Sequence, residues 1–287
     1  MLGINTNVAS LTAQKNLSGS GMGLNNAIAR LSSGLRVNSA KDDAAGLAIA
    51  ERMQAQIKGY DVAARNANDG ISLLQVADGA MGKISDNLQR MRELAVQAKN
   101  GTLNDTDRVN LNREYAELAN EVDRIVTGST FNGNNMFDAA NKTLSFQVGT
   151  GNAVSDTLAL NLTDDGLAAG NDLSTIMTNG AASIQANLNG VDTVANATTA
   201  ITTLDASIDA ITGIRAVVGA GQSRLEQVAS FADLSSTNLQ AARGRIMDAD
   251  FAKETAALTR SQILQQAGTA MLAQANQLPN NVLSLLQ

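Results

Sequence analysis

Residues 44–98 carry the longest helical pattern in the chain, AAGLAIAERMQAQIKGYDVAARNANDGISLLQVADGAMGKISDNLQRMRELAVQA. Apolar side chains recur in it at alternating steps of three and four residues, which is the spacing of one face of an α-helix. They are Ala50, Met53, Ile57, Tyr60, Ala64, Ala67, Ile71 and Leu74 and, after a shift of phase near residue 77, Met81, Ile84, Leu88, Met91, Ala95 and Ala98. The pattern predicts one helix about 80 Å long. Such a rod needs partner helices along its length.

Shorter helical patterns on both sides of this stretch provide those partners. Asn100 and Gly101 end the long helix, and residues 104–107 (NDTD) supply the N-cap and acidic first turn of another, which ends in the cluster 128–135. A further pattern runs from Ile201 to Ile246. Near the chain ends lie two apolar seams, which are Leu24, Ile28, Leu31 and Leu35 at the start and Leu264, Met271, Leu278 and Leu285 at intervals of seven at the end.

From about residue 143 the apolar period changes to two, which is typical of strands. The alternating residues are Leu144, Phe146 and Val148, followed by Leu158, Leu160 and Leu162. Because Gly149 to Asn152 lie between them, the pattern predicts a β-hairpin whose loop is longer than two residues. Residues 164–195 show little periodicity. The predicted fold class is therefore mainly α, an elongated antiparallel helical bundle or coiled coil with paired N- and C-terminal helices and a small β-hairpin.

The composition excludes several classes of function. The chain has no His and no Cys, so a Ser-His-Asp triad, a Cys nucleophile, the usual zinc sites and disulfides are all ruled out. A net charge of −6 argues against nucleic acid as a partner. No stretch is apolar enough to span a membrane, and residues 1–5 do not resemble a secretory signal peptide. We expect no cofactor, no catalysis and, if the protein is exported, a dedicated route.

Two glycine-rich segments and one acidic pair invite a catalytic interpretation that their context does not support. Residues 219–221 (GAG) and 19–23 (GSGMG) neither follow a strand nor lead into Gly-Lys-Ser/Thr, so close helix packing explains them better than a phosphate loop. Asp42 and Asp43 are predicted to lie at a helix N-terminus, where the helix dipole favours carboxylates.

Several segments together resemble bacterial flagellins. In the N-terminal part these are residues 4–7 (INTN), 31–36 (LSSGLR), 42–46 (DDAAG) and 88–96 (LQRMRELAV). In the C-terminal part they are residues 243–246 (RGRI), 248–251 (DADF) and 262–286 (QILQQAGTAMLAQANQLPNNVLSLL). The resemblance covers roughly residues 1–138 and 200–287, in the same order as in the family. The middle is shorter than in larger members, which carry extra outer domains.

The resemblance implies a domain organisation and a function. The expected protein is a secreted, extracellular subunit of the flagellum that polymerises into the filament used for swimming, without enzymatic activity. Residues 1–43 and 245–287 would form the two halves of an innermost coiled-coil domain. Residues 44–165 would form rod helices and the hairpin, 166–199 a short variable outer segment, and 200–244 the C-terminal rod helix.

The resemblance also implies partners. These are other flagellin subunits, contacted through the two terminal seams, a flagellar export chaperone, the filament cap, the hook-filament junction proteins and the flagellar type III export apparatus. An accessory protein of the same axial structure, a junction or cap subunit, is the alternative. A protease-bearing member of the family would need a histidine zinc site, which this chain lacks.

A last implied partner is the flagellin-sensing Toll-like receptor, through Gln89, Arg90, Leu94 and Glu114. Without the resemblance, these residues would be an ordinary solvated helix face with one exposed leucine. The same surface could serve subunit packing, so both interpretations stay open at this point.

Overall fold

Five α-helices dominate the part of the chain that the structure, a computed structural model, describes: residues 7–137, 143–161 and 190–284. The helices are α1 (Val8–Ser33), α2 (Ala44–Ala98), α3 (Asp105–Gly128), α4 (Val194–Met247) and α5 (Phe251–Ser284). The strands are β1 (Thr130–Phe131), β2 (Asn134–Asn135), β3 (Thr143–Gln147) and β4 (Thr157–Asn161). The predicted fold class, a mainly α antiparallel bundle with a β-hairpin, is confirmed. None of these helices is both long and apolar enough to cross a bilayer.

The chain forms two compact units, Lys58–Ser236 and Met1–Ile57 with Thr237–Gln287, and α2 and α4 each have residues in both. The predicted domain boundary at residue 43 lies just before α2 begins at Ala44, and the one at residue 244 lies shortly before α4 ends at Met247. The assignment of the segments to innermost, rod and outer domains stays a prediction, and most of the predicted outer segment lies outside the described residues.

In the unit Lys58–Ser236, α2 packs antiparallel to both α3 and α4. Arg90 of α2 pairs with Glu114 of α3, whereas Arg92 and Asp78 of α2 pair with Asp205 and Arg215 of α4. The predicted seam of α2 forms the core, because every apolar position from Leu74 to Ala98 on it is at most 2% exposed. Residues of α3 and α4 complete that core, among them Tyr115, Ala119, Val122, Val126, Leu204, Ile211, Ile214 and Val218.

The β3–β4 hairpin is antiparallel and packs on glycines of the helices. Its register pairs Leu144 with Leu160 and Phe146 with Leu158, so all four apolar side chains lie on one face. A Cβ atom on Gly70 of α2 would lie 3.0 Å from the Phe146 ring, and one on Gly221 of α4 would lie 2.7 Å from the Leu160 methyl groups. Because glycine has no side chain, the hairpin can approach the backbones of α2 and α4 closely at these two positions. The predicted hairpin is confirmed, although Leu162 lies outside the described residues.

The ends of α3 follow from its sequence. The side chain of Asn104 accepts a hydrogen bond from the backbone N–H of Asp107 at 2.8 Å and caps the helix, as predicted. Beyond the helix, Asn132 and Gly133 both have positive φ, 50° and 81°, and form the turn of the short β1–β2 hairpin. The end of α3 in this cluster was predicted, but the strand pair was not.

In the other unit, a short connector links α1 to α2 and pairs with the end of α4. Gly34 ends α1 with φ of 70°, and its carbonyl accepts the N–H of Ala249 at 2.9 Å. Val37, Ala50 and Met247 form a small buried cluster beside it. Asp43 accepts the N–H of Gly46 at 2.8 Å at the start of α2. The predicted helix N-terminal role of the acidic pair is thus confirmed for Asp43.

Candidate assembly surface

Helices α1 and α5 lie side by side and antiparallel, joined by polar contacts near both ends. At one end, Asn7 donates from Nδ2 to the carbonyl of Ala275 and the Ser10 hydroxyl donates to Asn276 Oδ1, both at 2.8 Å. At the other end, Arg30 pairs with Glu254 at 3.2 Å. Asn7 also caps α1, because its Oδ1 accepts the N–H of Ser10. The two terminal helices therefore pair within one chain.

Small side chains form the middle of this contact. A Cβ atom on Gly268 would lie 3.2 Å from Cδ1 of Leu17, and one on Gly23 would lie 3.4 Å from the Ser261 hydroxyl. On α5 the contact residues recur every seven positions and comprise Glu254 and three small residues; in order they are Glu254, Ser261, Gly268 and Ala275. Seven-residue spacing is that of a coiled-coil seam, here filled largely by small and polar groups.

The predicted seam residues lie partly in this contact and partly beside it. Leu24, Leu31 and Leu35 are half-buried, whereas Ile28, Leu264 and Met271 are 48%, 53% and 64% exposed. The side chain of Leu278 and the whole of Leu285 lie outside the described residues. The predicted seam and the residues of α5 that face α1 both recur every seven positions, but Ser261 and Gly268, which face α1, are three positions before Leu264 and Met271. The role of these two residues in polymerisation stays a prediction.

An apolar groove of about 910 Å³ runs beside the α1–α5 contact. Leu264 and Met271 line it from α5, and Val8 and Leu17 line it from α1. Further apolar side chains on the two helices are more than half exposed, and these are Leu11, Met22, Phe251 and Ile263. Exposed apolar groups in such number on paired helices mark an interaction surface.

The residues assigned to receptor recognition lie on α2 and α3, and they do not form one exposed face. Arg90 donates to Glu114 from Nε and Nη2 at 3.0 and 2.8 Å, and to Glu93 from Nη1 at 2.8 Å. These hydrogen bonds, that to Glu93 first and then those to Glu114, raise the pKa of the half-exposed Arg90 guanidinium above its usual value. Its planar donor fork is therefore already occupied within the chain. Gln89 is exposed and donates weakly to the Ser85 hydroxyl at 3.4 Å.

The predicted exposure of Leu94 is wrong, because its side chain is 1% exposed and belongs to the main core. Leu94 is one helical turn beyond Arg90, on the side of α2 that faces α3. A helix packed against two neighbours buries a wider stripe than a single seam requires. The predicted seam included only the residues on one side of that stripe, and Leu94 lies on the other side.

Sequence reasoning also missed Arg108, the most buried charged group at the α2–α3 turn. Its Nε donates to the carbonyl of Ala98 at 3.0 Å, Nη2 donates to that of Asn100 at 3.1 Å, and Nη1 pairs with Asp105 at 3.2 Å. Two carbonyls at the C-terminal end of α2 thus gain a cationic donor. The sequence signal was a basic residue in the first turn of α3, where only acidic residues are expected.

Paired terminal helices with apolar side chains exposed along them are typical of a helical protein that binds partners through these helices. The comparisons with known proteins agree. Residues 4–142 match the family model "Bacterial flagellin N-terminal helical region", and residues 201–286 match "Bacterial flagellin C-terminal helical region". The chain belongs to the bacterial flagellin family.

Individual relatives match the chain along almost its whole length. It is 44% identical to a flagellin of Halalkalibacterium halodurans over 287 residues, covering 99% of both chains. It is 40% identical to flagellin FlaB2 of Treponema pallidum over 294 residues, again covering 99% of both. The crystal structure of Bacillus cereus flagellin is 34% identical, with a TM-score of 0.47, over 62% of this chain and 94% of that one.

Membership in this family fixes the general function. The protein is a structural subunit of the extracellular flagellar filament, it assembles into a polymer of flagellin subunits, and it is not an enzyme. Among the described residues, no group of three or more acidic side chains is arranged to hold a metal ion.

Proposed function

We propose that the groove between α1 and α5 is the surface through which one subunit receives the terminal helices of its neighbours in the filament. The observation that carries the proposal is the exposure of Leu264 and Met271 along a groove of about 910 Å³. Both residues belong to the seven-residue repeat in α5. The same repeat continues to Leu278 and Leu285, which we include in the proposed surface.

The energetics favour assembly through this surface. Burying one leucine is worth roughly 1.5–3 kcal/mol. Several apolar side chains line the groove. An apolar helix that fills it would therefore bury enough apolar surface to form a stable contact. Because each subunit of a polymer contributes the same surface, a modest loss per contact recurs along the whole filament and should reduce elongation strongly.

The variant Leu264→Asp tests the proposal by placing a carboxylate in the groove, where it would lose hydration without gaining a partner. Seeded elongation of filaments, followed by light scattering and electron microscopy, is expected to stop or slow by on the order of tenfold or more. The helical signal of the monomer should be retained. Elongation at the parental rate would refute the proposed groove.

Two further variants separate assembly from folding. Gln265→Asp adds the same charge to the neighbouring exposed position of α5 and should elongate nearly as the parent does. Leu160→Asp instead buries a carboxylate under the β3–β4 hairpin, where Leu160 is 7% exposed, and should lower the thermal stability of the monomer. A Leu264→Asp variant that loses stability as Leu160→Asp does would have failed by unfolding rather than by losing contacts.

We further propose that the chain leaves the cell through the flagellar type III apparatus and that an export chaperone covers the apolar face of α5 beforehand. The exposed apolar side chains of α5 support this, because they need covering before assembly. Deleting residues 2–40 should leave the protein inside the cell. Normal secretion of that deletion would contradict this route. The filament cap and the hook-filament junction proteins are the proposed partners at the two filament ends.

The flagellin-sensing Toll-like receptor is a proposed partner of the monomer through Gln89, Arg90 and Glu114. The half-exposed Arg90–Glu114 pair supports a polar contact, in which Leu94 acts from beneath by positioning α2 against α3. Arg90→Ala should weaken receptor activation by soluble monomer while leaving its thermal unfolding almost unchanged, because exposed ion pairs contribute little stability. An unchanged dose response would reject this contact.

A further inference from the structure

The contact between α1 and α5 has a feature that apolar packing does not explain. Its middle consists of small groups, with Leu17 against Gly268 and Gly23 beside Ser261. Small and repetitive side chains fit one another in several alignments, so they select a helix register only weakly. The described contacts nevertheless agree on one antiparallel register from end to end.

Polar pairs lie at both ends of this contact and would be lost on slippage. If α5 moved by one seven-residue repeat, Arg30 would face Ser261 in place of Glu254, and Gly23 would face Gly268. The Glu254 side chain is only 13% exposed, so separating it from its cation leaves a largely buried carboxylate unpaired. The small groups in the middle would tolerate the same shift.

We propose that the Arg30–Glu254 ion pair, assisted by the Ser10–Asn276 hydrogen bond, specifies the register of α1 against α5. A polar pair in a seam that is otherwise permissive is a known way to select one alignment. The register matters for assembly, because it decides which residues of α1 lie across the groove from Leu264 and Met271. This inference rests on the proposed assembly groove and identifies the ion pair as the contact that determines the shape of that groove.

Both residues of the Arg30–Glu254 ion pair lie at helix ends that suit their charges. Arg30 is in the last turn of α1 and Glu254 is in the first turn of α5, where the helix dipoles favour a cation and an anion respectively. The pair therefore stabilises each helix end separately and also joins the two. A test must distinguish the joining role from the effect on the helix ends.

The chain has no cysteine, so engineered cysteine pairs report the register without background. Gly23→Cys with Ser261→Cys should form a disulfide within the chain in the observed register. Gly23→Cys with Gly268→Cys, and Asn16→Cys with Ser261→Cys, should form one only after a slip of seven residues in one direction or the other. The cysteines of each pair are oxidised in seeded filaments, and the fraction of chains that carry the disulfide is measured on non-reducing gels.

The test variant is Glu254→Arg, which places two guanidinium groups together. We expect elongation to slow by on the order of tenfold, and the remaining filaments to form the out-of-register disulfides. Adding Arg30→Glu should restore most of the rate and the in-register disulfide. Thr255→Arg places the same guanidinium group in the same turn of α5 at an exposed position while keeping Glu254, and should leave the elongation rate and the disulfide register unchanged.

In-register disulfides in Glu254→Arg filaments would overturn the inference, whatever their growth rate. So would a Thr255→Arg variant as slow as Glu254→Arg, because the helix end rather than the pair would then be responsible. Failure of the assembly groove itself has a different signature, which is parental growth of Leu264→Asp with these disulfides unchanged.

Discussion

Arg108 shows how a single buried cation can hold two helices at a tight turn. Its side chain is 9% exposed and donates to the carbonyls of Ala98, the last residue of α2, and of Asn100 in the turn that follows. Asp105, its acidic partner, is fully exposed and contributes little. The stabilisation therefore comes mainly from the two carbonyls, of which that of Asn100 also accepts a long hydrogen bond from the N–H of Leu103 at 3.4 Å.

The variant Arg108→Ala should lower the free energy of unfolding by about 1–3 kcal/mol, because it removes the donor of two carbonyls and the packing of the aliphatic stem. Urea unfolding followed by circular dichroism measures this change. Arg113→Ala is the matched control, since Arg113 is exposed on the same helix and donates a long hydrogen bond to Asn110 at 3.4 Å. Equal unfolding midpoints for the two variants would show that the Arg108 contacts are not stabilising.

Tyr115 is a buried phenol whose hydroxyl has no hydrogen-bond partner within the described residues. Burial raises the pKa of this phenol well above its ordinary value near 10. Below about pH 10 the phenol is neutral in both the folded and the unfolded chain. Above that pH the unfolded chain releases a proton that the folded chain retains, so stability should fall as the pH rises.

The variant Tyr115→Phe removes this pH dependence along with the unpaired hydroxyl. We expect a free energy of unfolding at neutral pH equal to that of the parent or up to about 1 kcal/mol higher. Between pH 9 and pH 11 the variant should lose less stability than the parent. Guanidinium unfolding at both pH values measures the difference, and parallel losses in the two proteins would mean that the Tyr115 phenol ionises in the folded state.

At the scale of the elements, two glycines of α4 make opposite contributions. A Cβ atom on Gly219 would meet nothing within 4 Å, whereas one on Gly221 would lie 2.7 Å from two methyl carbons of the buried Leu160. Gly219→Ala should raise the free energy of unfolding by roughly 0.5–1 kcal/mol through helix propensity. Gly221→Ala should lower it by about 1–3 kcal/mol, because the hairpin must move away.

Thermal unfolding of the two alanine variants measures both effects in the same helix. The opposite signs are the critical result, because each variant adds one methyl group two residues from the other. If Gly221→Ala were as stable as Gly219→Ala, the β3–β4 hairpin would not be held by close approach to α4.

The sequence was sufficient to predict the helices, because their apolar periodicity is carried by many residues at once. The long α2 pattern, the Asn104 cap and the β3–β4 alternation were each predicted and are each present. The start of α4 was placed too late, at residue 200 instead of Val194, since Thr and Ala in its first turns have little periodicity.

Properties that depend on which helices are neighbours could not be predicted in the same way. The burial of Leu94 required knowing that α3 covers that side of α2. The phase of α5 was hidden because Gly268 and Ser261, rather than the larger Leu264 and Met271, face α1. Helix periodicity identifies large apolar residues, whereas close helix contacts favour small ones. The Asn132-Gly133 turn of the short β1–β2 hairpin, by contrast, carried a usable signal that was overlooked.

At the scale of the whole molecule, the two units of the chain have different core compositions. The unit Lys58–Ser236 contains the large cluster of buried Leu, Ile, Met and Tyr side chains. In the described part of the other unit, α1 and α5 bury few large side chains and expose many. Segments with few buried apolar contacts open at low free-energy cost. We therefore expect α1 and α5 to gain most of their stability from neighbouring subunits.

Hydrogen exchange in monomer and in filament is the most direct measurement of this claim. The amides of α5 around Leu264 and Met271 should exchange rapidly in the monomer and slow by on the order of a hundredfold in the filament. Amides of α2 between Met81 and Ala98 should be protected in both states, since the apolar seam of this segment is already buried within one chain. Equal exchange of α5 in monomer and filament would contradict assembly through the terminal helices.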